Sequence, residues 1–245
     1  IIHKYTRFKL SRSQKSKKTV IVNFISLTFN MNSYKFNIPI FPLDNVIMLP
    51  GSYLPLNIFE KRYLNMVDDA LKTSSRLIGI IQPLINKKEN IESFENTIGC
   101  YGRIIKFEET ENETFLISLK GLSRFKVINS QLIKRGYVSS KVSVETYKND
   151  LNELKTNNFK FTNDKSLKMI LKSYLKFKKL DSNWNYINAC SNFDLTNQLS
   201  MICPFSTHEK QMLLESKSID DRYILLLSIL ENTVKLNEEE NQIRH

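Results

Sequence analysis

Four of the six prolines of this chain lie within residues 38–71, and they constrain the backbone there more than any other feature of the sequence. They are Pro39, Pro42, Pro50 and Pro55. Each proline fixes its own φ and pushes the preceding residue toward extended geometry. The segment therefore predicts a strand, a Pro-Gly turn, a second extended stretch and then a helix.

The helix at the end of this segment is predicted to begin near Phe59. Its apolar residues recur at helical spacing and share one face: Phe59, Tyr63, Met66, Val67, Ala70 and Leu71. Glu60 would stabilise the positive end of the helix. We expect Glu60 and Arg62 to form a buried network that ties the helix to the strands, rather than to contact a ligand.

The remaining sequence predicts an α+β fold. Residues 34–147 contain short runs rich in Ile, Val, Phe and Tyr, which favour strands. These predicted strands cover 78–82, 98–107, 115–119, 124–133 and 138–147. A loop is predicted over 86–96, an acidic hairpin tip over 108–113, a polar connector over 148–163 and an acidic tail over 238–245. Between the connector and the tail, over 164–237, the apolar spacing lengthens to that of helices, and Ser206 with Glu209 gives a capping-box pattern.

Several motifs, in order along the chain, resemble the N-terminal, substrate-binding domain of Lon proteases. They lie at 41–43, 49–51, 54–63, 76–83, 98–104, 119–125, 198–205 and 209–211. The residues that match its opening motif are Pro42, Pro50, Gly51, Phe59, Glu60, Arg62 and Tyr63. The resemblance covers roughly residues 36–236, and the motifs at 198–205 and 209–211 resemble the helical end of the free-standing bacterial members. It implies a β-rich PUA-like pseudo-barrel followed by a helical bundle.

The resemblance implies a polypeptide-recognition module that is not an enzyme. The sequence contains no Gly-x-x-x-x-Gly-Lys-Ser/Thr phosphate loop, and the serine–lysine peptidase domain of Lon would lie C-terminal of the matched region. The three histidines, His3, His208 and His245, form no metal-ligand motif. We therefore predict no ATPase activity, no peptidase activity, no cofactor and no metal.

Candidate polypeptide-binding residues surround the Pro-Gly turn. They are Tyr53, Leu54, Pro55, Leu56 and Ile58. Each one is individually better explained as core, yet a few of them together could form an exposed apolar patch. We expect Leu54 to lie on that exposed patch and Phe59 to be deeply buried. The expected partners are unfolded or flexible polypeptides, together with a protease or chaperone.

The net charge of +11 raises RNA binding by a PUA-like protein as the alternative function. However, residues 1–30 hold seven of the 36 Lys and Arg residues and no acid, and the other basic residues are spread along the chain. Nucleic acid is therefore not the expected partner. Residues 1–33 are interpreted as a basic extension, more consistent with upstream sequence than with a targeting arm.

The cellular compartment is inferred from cysteine usage and apolar runs. Cys100, Cys190 and Cys203 are odd in number and scattered, as expected for reduced cytoplasmic thiols. Because no run of 18 apolar residues occurs, no membrane partner is expected.

Overall fold

The computed structural model describes residues 34–83, 94–150 and 159–243, with the side chains of the last helix described as far as Lys235. Its strands are β1 (Lys35–Pro42), β2 (Tyr53–Ile58), β3 (Leu77–Ile81), β4 (Ile98–Glu109), β5 (Phe115–Leu132) and β6 (Val138–Ser143). Its helices are α1 (Lys61–Lys72), α2 (Ser166–Phe177), α3 (Trp184–Ala189), α4 (Asn192–Ile202), α5 (Thr207–Glu215) and α6 (Ile219–Ile243). These elements confirm the predicted α+β class.

Five of the six strands close into a barrel. The sheet order is β2-β5-β4-β3-β1-β6, and β6 pairs back onto β5. Only β1 and β3 run parallel; the other pairs are antiparallel. The long strand β5 has two parts. Its second half pairs with β6 and belongs to the barrel, whereas its first half extends out of the barrel and pairs with β2.

The barrel interior is filled by a compact apolar cluster. Its buried members are Ile38, Ile40, Leu77, Ile81, Phe94, Tyr101, Phe125, Val127 and Val142. A Cβ on Gly79 would come within 2.8 Å of the Cδ1 atoms of both Ile38 and Ile40. Because the interior is closely packed, an added Cβ would force these side-chain ends to shift.

A second and larger core lies on the other face of the sheet and is shared by the strands and the helices. It includes Tyr63, Met66, Val67 and Ala70 of α1. Every later described helix also contributes residues, such as Leu171, Ile187, Leu199, Leu213 and Leu226. The ring of Tyr63 lies 4.3 Å from that of Phe41. The β-rich and helical parts thus bury apolar surface against each other.

Several predicted elements are confirmed and some are corrected. The Pro-Gly turn is present: the Ser52 N–H donates to the Leu49 carbonyl, and Gly51 has a φ of 81°, as a type II turn requires. The capping box of Ser206 and Glu209 opens α5 as predicted. The two strands predicted at 115–119 and 124–133 are instead one continuous strand, since the Gly121 region forms a bulge and not a turn.

Other predictions fall partly on residues that are not described. The extension at 1–33, most of the loop at 86–96 and residues 151–158 of the connector lie outside the described residues. The backbone of α6 continues through Ile243, into the segment assigned to an acidic tail. The proposed division into subdomains stays a prediction.

Candidate functional site

The strand β2 forms one end of the sheet and alternates strictly between a buried and an exposed side. Leu54, Leu56 and Ile58 are buried in the shared core, whereas Tyr53 is 58% exposed and Pro55 is exposed. The expectation that Leu54 lies on an exposed patch is therefore wrong. Because strand side chains alternate between faces, the exposed row consists of the neighbours of the buried residues.

We define the flap as β2, residues 103–109 of β4 and residues 115–120 of β5. Its outer face consists of three rows of directly opposed residues, which share a face because the strands are antiparallel. The rows are Tyr53–Lys120–Arg103, Pro55–Ser118–Lys106 and Asn57–Leu116–Glu108. Within this face Leu116 is 38% exposed. The flap thus presents an apolar strip of Tyr53, Pro55 and Leu116 among polar and charged neighbours.

The start of α1 differs from the prediction in two ways. The helix begins at Lys61, and Phe59 is 57% exposed instead of buried, because it precedes the helix and follows the exposed row of β2. Glu60 and Arg62 form a 3.0 Å ion pair, but both side chains are nearly half exposed. The expected buried Glu60–Arg62 network is therefore wrong. Tyr63, in contrast, is buried as predicted.

The free edge of β2 is poorly suited to pair with another strand. The Gly121 N–H donates to the Ser52 carbonyl, so the strand alternation directs the N–H groups of Leu54, Leu56 and Ile58 toward β5. Pro55 occupies an edge-facing position, where it has no N–H to donate. Proline at such a position is a common protection against edge-to-edge pairing. The backbone edge of β2 is therefore less suited to contact another chain than the side chains of its exposed row.

Charge is distributed unevenly along the outer face of the flap. Arg103, Lys106 and Lys120 lie in the two rows nearer the barrel. Glu108 lies in the third row, and Glu111 and Glu113 follow at the exposed hairpin tip. The Nζ of Lys120 lies 5.9 Å from the centre of the Tyr53 ring. Among the described residues, the buried Nε of Arg103 has no hydrogen-bond partner. The face is thus basic at one end and acidic at the other.

A buried ion pair that the sequence analysis missed joins the barrel to the helices. Arg124 of β5 and Asp150 are both about 2% exposed, and the Arg124 Nη2 lies 2.6 Å from the Asp150 Oδ1. The Arg124 Nη1 also donates to the carbonyls of Leu214 and Ser216 at the end of α5. Burial alone would lower the pKa of Arg124, but the hydrogen bonds to Asp150 raise it.

Two further buried cations complete this region, which we call the junction. The Arg222 Nε donates to the Leu213 carbonyl at 2.8 Å, and its Nη1 donates to Asn197. The Lys210 Nζ donates to the carbonyls of Asn45 and Met201, both at 3.0 Å, and burial lowers the pKa of Lys210. The cavity beside Arg124 and Arg222 has room for about one water molecule. It is therefore too small for a ligand.

Metal-ligating side chains and thiols are two kinds of reactive group in the described part of the chain. Among these residues no group of three or more His, Cys, Asp or Glu side chains could hold a metal ion. All three cysteines are free, and burial raises the pKa of both Cys100 and Cys203, the latter to about 12. Such thiols are protonated at neutral pH and are poor nucleophiles. No described helix is long and apolar enough to cross a membrane.

Comparison with known proteins gives a family. Residues 37–232 match the model of the substrate-binding domain of the ATP-dependent protease La (Lon). This chain belongs to the Lon substrate-binding domain family. The matched range begins within β1 and ends within α6, and it includes the flap and the residues of the junction.

Individual relatives are bacterial Lon proteases and their N-terminal domains. Lon protease of Buchnera aphidicola subsp. Acyrthosiphon pisum is 24% identical over 217 residues, which cover 87% of this chain and 27% of that protein. Lon protease of Haemophilus influenzae is 20% identical over 84% of this chain and 25% of that protein. The chain therefore spans about a quarter of the length of these relatives.

Solved structures support the fold. The Lon N-terminal domain protein of Xanthomonas campestris matches with a TM-score of 0.50 and 22% identity, covering 79% of this chain and 98% of that one. The N-terminal domain of Lon protease from the Mycobacterium avium complex matches with a TM-score of 0.55 and 15% identity, covering 80% and 98%. At these identities the likeness shows a shared fold.

Proposed function

We propose that this chain is a non-catalytic module that holds unfolded or flexible polypeptide on the outer face of the flap. The observation that carries this proposal is the strip of Tyr53, Pro55 and Leu116, which exposes adjoining apolar surface on the outer face of the flap. Exposed apolar surface rimmed by polar residues is characteristic of interaction sites. The family description as a substrate-binding domain supports the same function.

The flap is well held for this role. On its inner face Leu54, Leu56 and Ile58 are buried against Ile117 and Leu119 in the shared core. Substitution of Tyr53 or Leu116 should therefore leave the fold intact, because the opposite faces of β2 and of this part of β5 are packed. Binding through side chains on a fixed strand also requires little ordering of the protein, which reduces the entropic cost of association.

The non-catalytic part of the proposal rests on the chemistry of the described residues. Within residues 34–83, 94–150 and 159–235, the buried charged groups of the junction bond to other side chains or to backbone carbonyls, and His208 is exposed in the first turn of α5. A serine or cysteine nucleophile would need an adjacent base to activate it. Purified protein incubated with ATP and with unfolded casein should therefore neither hydrolyse ATP nor cleave casein.

The binding proposal is tested by removing the apolar strip. The double variant Tyr53→Ser/Leu116→Ser should bind an unfolded, carboxymethylated protein roughly tenfold more weakly than the wild type, since it loses two exposed apolar contacts. Leu132→Ser is the matched control, because Leu132 is 72% exposed at the far end of β5. Equal affinities for the wild type and the double variant, with both folded, would contradict the proposal.

We infer further that bound polypeptide is passed to a protease, since the relatives are Lon proteases. Capture from a cell extract should recover client polypeptides with the wild type and not with Tyr53→Ser/Leu116→Ser. A protease partner should be recovered with both, because it would contact a different surface. Recovery of neither clients nor a protease with the wild type would contradict this inference.

RNA binding is the second candidate, and one surface favours it. On the outside of the barrel Lys35 and Lys126 flank Ser143 in one row, and Lys141 lies in the next. Clustered lysines attract phosphate groups, and such binding weakens steeply as salt rises. Titration with single-stranded RNA at low and high salt decides between the candidates. Salt-sensitive binding lost in Lys126→Gln/Lys141→Gln would support RNA, whereas salt-tolerant binding of unfolded protein supports the first proposal.

A further inference from the structure

The outer face of the flap is both apolar and charged, and the charges are ordered. Its basic end carries Lys120 and Arg103 beside Tyr53, and its acidic end carries Glu108 beside Leu116. Lys120 and Leu116 are four residues apart on β5, so the two ends lie about 13 Å from each other. The apolar strip spans the face from Tyr53 in the basic row, through Pro55, to Leu116 in the acidic row, and the middle row adds the positive charge of Lys106. A ligand that covers the strip must therefore meet positive charge at one end and negative charge at the other.

We propose, on the basis of the polypeptide-binding function above, that the flap selects dipolar polypeptide segments. Such a segment has an acidic and a basic side chain about four residues apart, with aromatic or aliphatic residues between them, since an extended chain rises about 3.3 Å per residue. The acidic side chain lies at the Lys120 end and the basic side chain at the Glu108 end. Segments with two like charges place one of them against a like charge of the flap.

The chain's own N-terminal segment has the wrong charge for this face. Residues 1–30 carry seven Lys and Arg residues and no acid. Because such a segment has no acidic side chain, it cannot form an ion pair at the basic end of the flap. Strand addition at the β2 edge is also disfavoured, because Pro55 interrupts the outward N–H groups. Charge complementarity thus favours a client segment lying across the side chains of the outer face.

Three labelled peptides of about 12 residues with the same apolar centre test the proposal. One carries Asp and Lys on opposite sides of the centre, one carries Asp on both sides and one carries Lys on both sides. The dipolar peptide should bind about two- to fivefold more tightly than either other peptide at low salt, the scale expected for exposed ion pairs. This preference should vanish at high salt, where exposed charges are screened.

A charge reversal makes the test specific to this face. In Glu108→Lys the acidic end becomes basic, so the preferred peptide should change from the dipolar one to the doubly acidic one. Glu145→Lys is the matched control: Glu145 is exposed outside the flap and the net charge changes equally. The control should retain the wild-type order of affinities.

The outcomes separate this inference from the function on which it rests. If all three peptides bind equally and Tyr53→Ser/Leu116→Ser still weakens binding, the proposed function stands and the dipolar preference is wrong. If none of the peptides binds but an unfolded, carboxymethylated protein binds and the double variant weakens that binding, the dipolar preference is wrong and the proposed function stands. If neither the peptides nor the unfolded protein binds, both are wrong. If the chain sediments as a dimer and peptide affinity falls as the protein concentration rises, a second copy occupies the face, and the dipolar-segment proposal is contradicted.

Discussion

The barrel interior and the junction are both buried, but they are built from opposite chemistry. The interior is apolar and so tightly filled that Gly79 and Gly99 have no room for a Cβ. The junction holds Arg124, Arg222, Asp150 and Lys210, each at most 5% exposed. Every one of these charged groups bonds to another buried side chain or to a backbone carbonyl.

The difference determines how buried apolar groups and buried charged groups respond to substitution. In an apolar interior, the stability lost when a side chain is shortened grows with the volume that is removed. A buried charge depends on its partner, because removing that partner leaves the charge desolvated and uncompensated. Carbonyls at the end of α5 are the acceptors for both arginines, so the junction fixes where that helix ends. We therefore expect the junction to be the more fragile of the two regions.

The largest effect is expected from Asp150→Leu, which leaves Arg124 buried without its carboxylate. It should lower the free energy of unfolding by about 3–5 kcal/mol, measured by urea denaturation. Adding Arg124→Met should restore much of this loss, because the uncompensated charge is then removed. Glu60→Ala is the control, since the exposed Glu60–Arg62 pair should contribute less than about 1 kcal/mol. A double variant as unstable as Asp150→Leu would contradict the charge argument.

The next largest effect is a difference in stability between substitutions on the buried and the exposed side of the β2 segment. Leu54→Ala should cost about 2–5 kcal/mol because Leu54 is buried in the shared core. Phe59→Ala should change stability by less than about 0.5 kcal/mol, since Phe59 is 57% exposed. Urea midpoints of the two variants measure this directly. The reverse order would show that β2 presents the other face to the core.

A smaller effect is expected inside the barrel, from Gly99→Ala. The added Cβ would collide with the Ile80 carbonyl oxygen and lie 2.6 Å from the Cγ2 of Ile81. Because backbone must move, the substitution should cost about 1–3 kcal/mol. Gly79→Ala should cost less, since its Cβ meets only side-chain ends, which can shift. If the two variants lose the same free energy of unfolding, the backbone at Gly99 moves as easily as the side chains around Gly79, which would contradict this argument.

The smallest effect appears only in alkali. Burial raises the pKa of Tyr101 in the barrel interior to about 12, above its ordinary value near 10. The stabilisation from keeping Tyr101 neutral is complete below pH 10 and is lost as the pH rises through 12. The loss at pH 11 should be on the order of 1 kcal/mol. Tyr101→Phe should therefore unfold at higher pH than the wild type, and identical alkaline profiles would contradict this.

Local patterns in the sequence were sufficient for many of these features and insufficient for others. The stripe of α1 and the capping box of Ser206 and Glu209 were predictable because they depend on residues three or four positions apart. Arg124 and Asp150 are 26 residues apart, and Asp150 lies in a connector whose composition resembles a solvated loop. Burial of that pair is decided by the docking of α5, which no local pattern encodes.

The candidate site illustrates the same limit on a smaller scale. The alternation of Tyr53, Leu54, Pro55 and Leu56 is visible in the sequence, and the segment was correctly chosen as extended. Which side of β2 is covered depends on the core shared with α1 and the helices. The partners of Tyr53 in the outer face, Lys120 and Arg103, lie on other strands and follow only from the register.

Photo-crosslinking tests the central claim, that polypeptide binds on the outer face of the flap, most directly. Benzoylphenylalanine is placed at Tyr53 in one variant and at Leu132, on the same sheet but outside the flap, in another. With an unfolded labelled protein, the account predicts strong crosslinking from position 53 and little from position 132, with competition by unlabelled unfolded protein. Equal crosslinking from both positions, or none from position 53 while binding persists, would contradict the account.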